Sequence, residues 1–116
     1  MQIEVKGRSG VPVTDELKEL VERRFERVAR QVSPLAVLQI ELQEERNPAN
    51  PVCHVAEATL HLKGVTLRAV ERSREQHHAL KLASEDIARQ VKRHRDKRRD
   101  RRHAATRDIE PRPAAP

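Results

Sequence analysis

Residues 56–70, Ala56-Glu57-Ala58-Thr59-Leu60-His61-Leu62-Lys63-Gly64-Val65-Thr66-Leu67-Arg68-Ala69-Val70, alternate side-chain character on either side of a single glycine. Ala56, Ala58, Leu60 and Leu62 fall on one face, and after Gly64 so do Val65, Leu67 and Ala69. A period of two is that of a half-buried strand, and glycine lets the chain reverse tightly, so this stretch predicts a β-hairpin. Its first strand reaches back to about Val52. Just upstream, Asn47-Pro48-Ala49-Asn50-Pro51 is a loop signal, and before it Leu38, Ile40 and Leu42 alternate with Gln39, Glu41 and Gln43. Three consecutive strands therefore form an antiparallel meander.

Outside the meander the period changes. Gln2 to Lys6 alternates again, with Ile3 and Val5 on one side, giving a first strand that Gly7 and the Ser9-Gly10-Val11-Pro12 stretch end. Thr14 is placed to cap a helix, and Asp15 and Glu16 suit the positive end of its dipole. Leu17, Leu20, Val21, Phe25, Val28 and Val32 recur at helical spacing, and Pro34 closes this helix. From about Glu75, Leu80, Ala83, Ile87, Val91 and His94 mark the buried stripe of a second helix. The order predicts an α+β fold, βαβββα, with two helices packed on one face of a four-stranded sheet. A ferredoxin-like arrangement would need a strand after the second helix, and none is visible, so a double-stranded-RNA-binding-like sandwich is expected. Residues 1–103 form the domain, ending in a basic helix, and residues 104–116, with three prolines, form a disordered tail.

Composition narrows the function. Phe25 is the only aromatic residue, which argues against modules that stack bases on exposed rings. Cys53 stands alone, so no intramolecular disulfide and no cysteine-based zinc site is expected. No basic leader precedes a long apolar run, and no stretch of about 18 apolar residues occurs, so neither a secretion signal nor a membrane partner is expected, and the cytoplasm is the expected compartment. His77 and His78 are adjacent and point about 100° apart on a helix. With His54, His61, His94 and His103 they form no metal-binding motif, so no metal is expected. No nucleophile elbow or phosphate loop is present, and Glu57 has no evident acid/base partner. The reading is of a non-enzyme, with no catalytic residues, no cofactor and no small-molecule substrate.

Charge carries the positive signal. Between Ile87 and His103 nine basic residues face only Asp96 and Asp100, a surplus of seven, whereas the whole chain carries +6. The remainder is slightly acidic, so the excess belongs to one segment, as in a surface that meets a polyanion. On the second helix Lys81, Arg89, Lys92 and Arg99 share a flank with Arg93 close by. On the first, Glu19, Glu22 and Glu26 occupy one arc and Arg23, Arg27 and Arg30 another. Arginine forks match phosphate oxygens, and phosphate contacts position a protein without reading sequence. Recognition should then follow RNA shape.

With the elements in order, the sequence resembles the ribosome hibernation-promoting factor and ribosome-associated inhibitor family of bacteria over about residues 1–99. The resemblance rests on Met1-Gln2-Ile3-Glu4-Val5-Lys6-Gly7-Arg8, on Val13-Thr14-Asp15-Glu16-Leu17 and Val21-Glu22-Arg23-Arg24-Phe25, on Ala56-Glu57-Ala58-Thr59-Leu60-His61-Leu62 and on Arg89-Gln90-Val91-Lys92-Arg93. It implies a domain that binds the small ribosomal subunit and its ribosomal RNA, alone or in intact ribosomes. There it covers the decoding region, blocks messenger and transfer RNA and silences translation under stress. The matching basic positions are Lys18, Arg23, Arg27 and Arg30 on the first helix and Arg89, Lys92, Arg93 and Arg95 on the second.

The family commonly opens its second helix with Asp-Met-Tyr-Ala-Ala-Ile-Asp. Here Glu75-Gln76-His77-His78-Ala79-Leu80-Lys81 stands instead, without the tyrosine and with lysine for the last aspartate. Long members carry a further dimer-forming domain, so a short form is expected. Two other readings stand beside this one: a non-specific, chaperone-like RNA binder, and an interaction module whose basic end docks an acidic protein.

Overall fold

The computed structural model describes the backbone of residues 1–47 and 50–109 and, within these, the side chains of residues 1–46 and 53–99. The chain runs β1 (Gln2–Gly7), α1 (Asp15–Arg24), α2 (Glu26–Ala29), β2 (Val37–Asn47), β3 (Asn50–Leu62), β4 (Val65–Ser73) and α3 (Gln76–Ile109). The strands form one mixed sheet in the order β1-β2-β3-β4. β1 lies parallel to β2, which the intervening helices permit, because a parallel neighbour needs a crossover connection. The other two pairs are antiparallel, as the meander predicts. At the β3–β4 turn Gly64 takes φ +80, a value that side-chain-bearing residues rarely adopt.

Pairing brings the apolar positions into rows. Ile3, Leu38, Leu60 and Leu67 stand side by side across the four strands, followed by Val5, Ile40, Ala58 and Ala69. The α1/α2 segment contributes Leu17, Val21, Phe25 and Val28, and α3 contributes Ala79, Leu80, Ala83, Ile87 and Val91. α3 packs over β3 and β4. Alanines at Ala56, Ala58 and Ala69 beneath it, and at Ala79 and Ala83 within it, keep side-chain bulk low between helix and sheet. A side-chain bond adds to the packing: Gln90 Nε2 donates to the Arg68 carbonyl oxygen at 2.8 Å.

Thr14 caps α1 as expected, its hydroxyl accepting from the Leu17 amide at 3.1 Å. The first helix is not the single rod that the spacing predicts. It breaks at Phe25, whose φ of −103 and ψ of 8 leave the helical basin, and helix ends at Ala29. The break falls at the bulkiest fully buried side chain of the core. Pro34 disfavours helical geometry at Ser33, so helix cannot run on to the proline. The turns before it tighten, with the Gln31 amide bonding to the Val28 carbonyl at 2.9 Å.

Two further limits differ from expectation. β4 continues to Ser73 instead of ending near Val70, because its outer residues still pair with β3. The second helix does not stop near the expected domain boundary at residue 103. Its backbone is helical to Ile109, through Ala104 and Ala105, which favour helix, and no proline intervenes before Pro111. The rest of the expected tail, residues 110–116, lies outside the described residues. Among the described residues no strand follows α3.

Candidate nucleic-acid interface

The α1/α2 segment and α3 lie on the same side of the sheet, and a trough remains between them. One stretch of it, about 530 Å³, is lined by Arg27 and Gln31 on one wall and by Glu85, Ala88, Arg89, Lys92 and Arg95 on the other. An adjoining stretch of about 220 Å³ is lined by Arg23, Arg24, Arg27 and Val28 opposite Lys81, Ser84, Glu85 and Ala88. Arg27, Glu85 and Ala88 belong to both, so the two stretches form one continuous groove. Its cations come from Arg23, Arg24, Arg27, Lys81, Arg89, Lys92 and Arg95, and its sole acid is Glu85.

Helical spacing explains the α3 wall. Lys81, Glu85, Ala88, Lys92 and Arg95 follow at intervals of three and four, so they lie along one side of α3, and Arg23 of α1 and Arg27 of α2 face them from either side of the break at Phe25. Val28 and Ala88 form an apolar floor. The Ser84 hydroxyl, nearly buried, is satisfied by donating to the Lys81 carbonyl oxygen at 2.7 Å.

The cations in this groove are unpaired to an unusual degree. Among the described residues Arg23, Arg24, Arg27, Lys81 and Lys92 form no ion pair, and Arg89 makes only a long contact of 3.9 Å with Asp86. The opposite face of the sheet is a useful contrast. There Glu41 and Glu57 stand directly opposite each other on β2 and β3, a like-charge pair that would repel. Each is met by an arginine, Arg8 on Glu41 and Arg68 on Glu57. Arg72 reaches Glu45 at 3.5 Å, and Gln39 bridges Glu4 at 3.1 Å and His61 at 2.9 Å. That face neutralises most of its charge internally, and the groove leaves its own to the solvent. A cleft lined by one sign of charge focuses potential and attracts the opposite sign.

Six of the ten basic residues singled out from the sequence meet in the groove: Arg23, Arg27, Lys81, Arg89, Lys92 and Arg95. Arg99 follows on the same line of α3, four residues past Arg95. The other three lie elsewhere. Lys18 is five residues before Arg23, about 140° around α1 from it, and lines neither stretch of the groove. Arg30 turns back to Glu26 at 2.8 Å. Arg93 is rotated about 100° from Lys92 and points away from the trough. Arg24 and Gln31 are groove residues that the sequence reading missed. The Arg23-Arg24 doublet hinted at the first, and Gln31 lies beyond the end of α2, where helical phase no longer assigns a face.

The acidic arc, which runs from α1 into α2, is real and separate. Glu19, Glu22 and Glu26 border a hollow with Arg23, which stands on the ridge between that hollow and the groove. At the start of α3 the departure from the family motif is accommodated locally. The His78 Nδ1 and Ser73 hydroxyl hydrogen-bond at 2.7 Å, and His77 lies 3.0 Å from Glu75. Among the described residues no cluster of three or more histidine, cysteine or acidic side chains is arranged to hold a metal ion, and no helix is long and apolar enough to cross a membrane.

Known proteins resemble the chain in both sequence and shape. The ribosome hibernation promoting factor of Salmonella typhimurium is 28% identical over 97 residues, spanning 84% of this chain and 96% of that protein. The factor of the same name from Escherichia coli K12 is 27% identical with the same coverage. Among solved structures, the N-terminal domain of Thermus thermophilus Protein Y superposes with a TM-score of 0.70 at 24% identity, covering 80% of this chain and 98% of that one. A ribosomal subunit interface protein from Coxiella burnetii gives 0.65 at 21% identity, covering 83% and 99%. At these identities the structures bear on the fold. The sequence pattern of the family described as Sigma 54 modulation protein / S30EA ribosomal protein matches residues 3–99, from the first strand through the basic half of α3, and the chain belongs to that family.

Proposed function

We propose that this protein is a ribosome hibernation factor that seats the groove between α1/α2 and α3 on ribosomal RNA of the small subunit. In that position it covers the decoding region, excludes messenger and transfer RNA and silences translation under stress, in the cytoplasm. It acts by occupancy and needs no cofactor. The observation that carries the reading is the groove itself: seven cations on facing helix walls, one acid among them, and almost no internal pairing. The names of the relatives, ribosome hibernation promoting factors, support the same target.

The physics constrains the mode of binding. Lysine and arginine heads release counterions from phosphates, and Phe25, the one Phe, Tyr or Trp of the chain, is buried and cannot stack on bases. Selectivity must then come from the spacing of phosphates around a folded RNA, matched to two helices held rigidly by one core.

Cosedimentation tests this. The protein should travel with small subunits and intact ribosomes and should be displaced by messenger RNA or initiator transfer RNA. Reversing Arg27, Arg89 and Lys92 together (Arg27→Glu, Arg89→Glu, Lys92→Glu) should abolish cosedimentation while leaving the circular dichroism spectrum intact, because all three side chains are exposed. Equal affinity for arbitrary RNA duplexes would establish the non-specific binder instead. Absence of any RNA binding would leave the acidic-protein partner.

A further inference from the structure

Glu85 is the one acid among the seven cations of the groove, and it belongs to both of its stretches. Its side chain is exposed, and among the described residues it forms no ion pair. Cations are within reach along the helix, since Lys81 and Arg89 stand four residues to either side, the usual spacing for an intrahelical pair. Arg89 turns instead to Asp86 at 3.9 Å, and Asp86 also accepts from Gln90 Nε2 at 3.2 Å. A carboxylate kept only to steady the helix would take one of these cations. Glu85 is left lining the trough, with Arg27 on the other wall.

At a rise of about 1.5 Å per residue, Glu85 lies about 6 Å along α3 from Lys81 and about 10 Å from Lys92. Cations therefore bracket it, and beside it the floor is apolar, made by Val28 and Ala88. A phosphate seated on Glu85 would meet a charge of its own sign on a group that only accepts hydrogen bonds, so the phosphates of a bound strand must fall to either side. What the carboxylate can take at this point is a hydrogen from a neutral donor. A ribose meets both demands: its carbons suit Val28 and Ala88, and its 2′-hydroxyl donates. A-form RNA displays these hydroxyls across its wide, shallow minor groove.

We propose that Glu85 makes the groove selective for RNA, accepting a hydrogen bond from a ribose 2′-hydroxyl while the cations on either side hold the flanking phosphates. This rests on the reading of the groove as an RNA interface and names the part of the RNA that lies over its middle. The same carboxylate repels any polyanion that brings no donor to that point.

Two variants of the full chain test it, Glu85→Ala and Glu85→Gln. The site is exposed and both residues favour helix, which circular dichroism would check. The probes are an RNA duplex and a duplex of the same sequence with every 2′-hydroxyl replaced by fluorine, which keeps the A-form and removes the donor. Binding is measured at about 50 mM salt, where phosphate contacts are strong. The wild-type chain should prefer the RNA by about tenfold, the scale of one hydrogen bond to a charged group. Glu85→Ala should bind both duplexes equally, losing affinity for the first and gaining it for the second. Glu85→Gln, whose amide oxygen still accepts, should keep part of the preference. Equal wild-type affinity for the two duplexes would overturn the proposal. So would a preference that survives in Glu85→Ala, because another residue would then read the hydroxyl. Purified small subunits keep the two readings apart. A wild-type chain that ignores them yet prefers the RNA duplex removes the ribosomal target and leaves the role of Glu85 standing. A chain that binds them but treats both duplexes alike removes that role and leaves the target.

Discussion

At the residue scale, Phe25 and Arg27 are neighbours in the chain with opposite roles. Phe25 is fully buried and is the only Phe, Tyr or Trp in the chain. Phe25→Ala should cost about 3–5 kcal/mol, the range for emptying a large buried site, measurable as a lowered urea midpoint. RNA affinity measured well below that midpoint should hold to within a few-fold if the backbone around Arg27 survives. Arg27 is the reverse case, exposed and thermodynamically replaceable, yet shared by both stretches of the groove. Helical spacing singled out Arg27 from the sequence because it sits on one flank with Arg23. The same logic could not find Gln31, which lies outside helical geometry, nor separate Lys18 from the groove residues by charge alone.

At the element scale, the distance between α3 and the sheet depends on small side chains. Ala58 and Ala69 on the strands and Ala83 on the helix are all essentially buried. Ala83→Leu should push α3 outward and destabilise the fold by about 1–3 kcal/mol, the usual cost of overpacking. Because the same helix carries one wall of the groove, the variant should also weaken small-subunit binding without removing a charge. A thermal melt read beside the cosedimentation assay checks both. The meander was legible because alternation over many residues leaves little ambiguity. The break in the first helix was not, since Leu17, Val21, Phe25 and Val28 keep helical spacing straight through Phe25. Helical periodicity records which side is buried and is silent on whether the backbone stays regular. The sequence leaves the charged stretch to Arg102 open between a helical extension and a frayed tail, and the backbone is helical to Ile109, as helix propensity permits past the apolar stripe.

At the scale of the whole molecule, charge is sorted by face. The uncovered side of the sheet pairs Glu41, Glu57 and Glu45 with arginines, the outer arc of α1 is acidic, and the cations of the groove face the solvent. Such an arrangement should orient the protein as it approaches a polyanion. Seven groove cations, if all reach phosphates, predict a log–log salt slope of about −5 or steeper for small-subunit binding. Titrations between about 50 and 200 mM salt would measure it. A slope near −1 would mean that the groove does not face RNA.

Sequence alone determined the order of elements, the buried side of each and the presence of a basic segment, because strand alternation, helical spacing and local charge are all short-range patterns. Tertiary structure decided that Arg27 and Lys92, distant in the chain, line one groove, and that Lys18 does not join them. The physical reason is that helical phase assigns a side chain to a face but says nothing about what that face meets. Which faces meet follows from how α1, α2 and α3 dock on one sheet, and that depends on the packing of Phe25, the buried alanines and the Leu–Ile rows together.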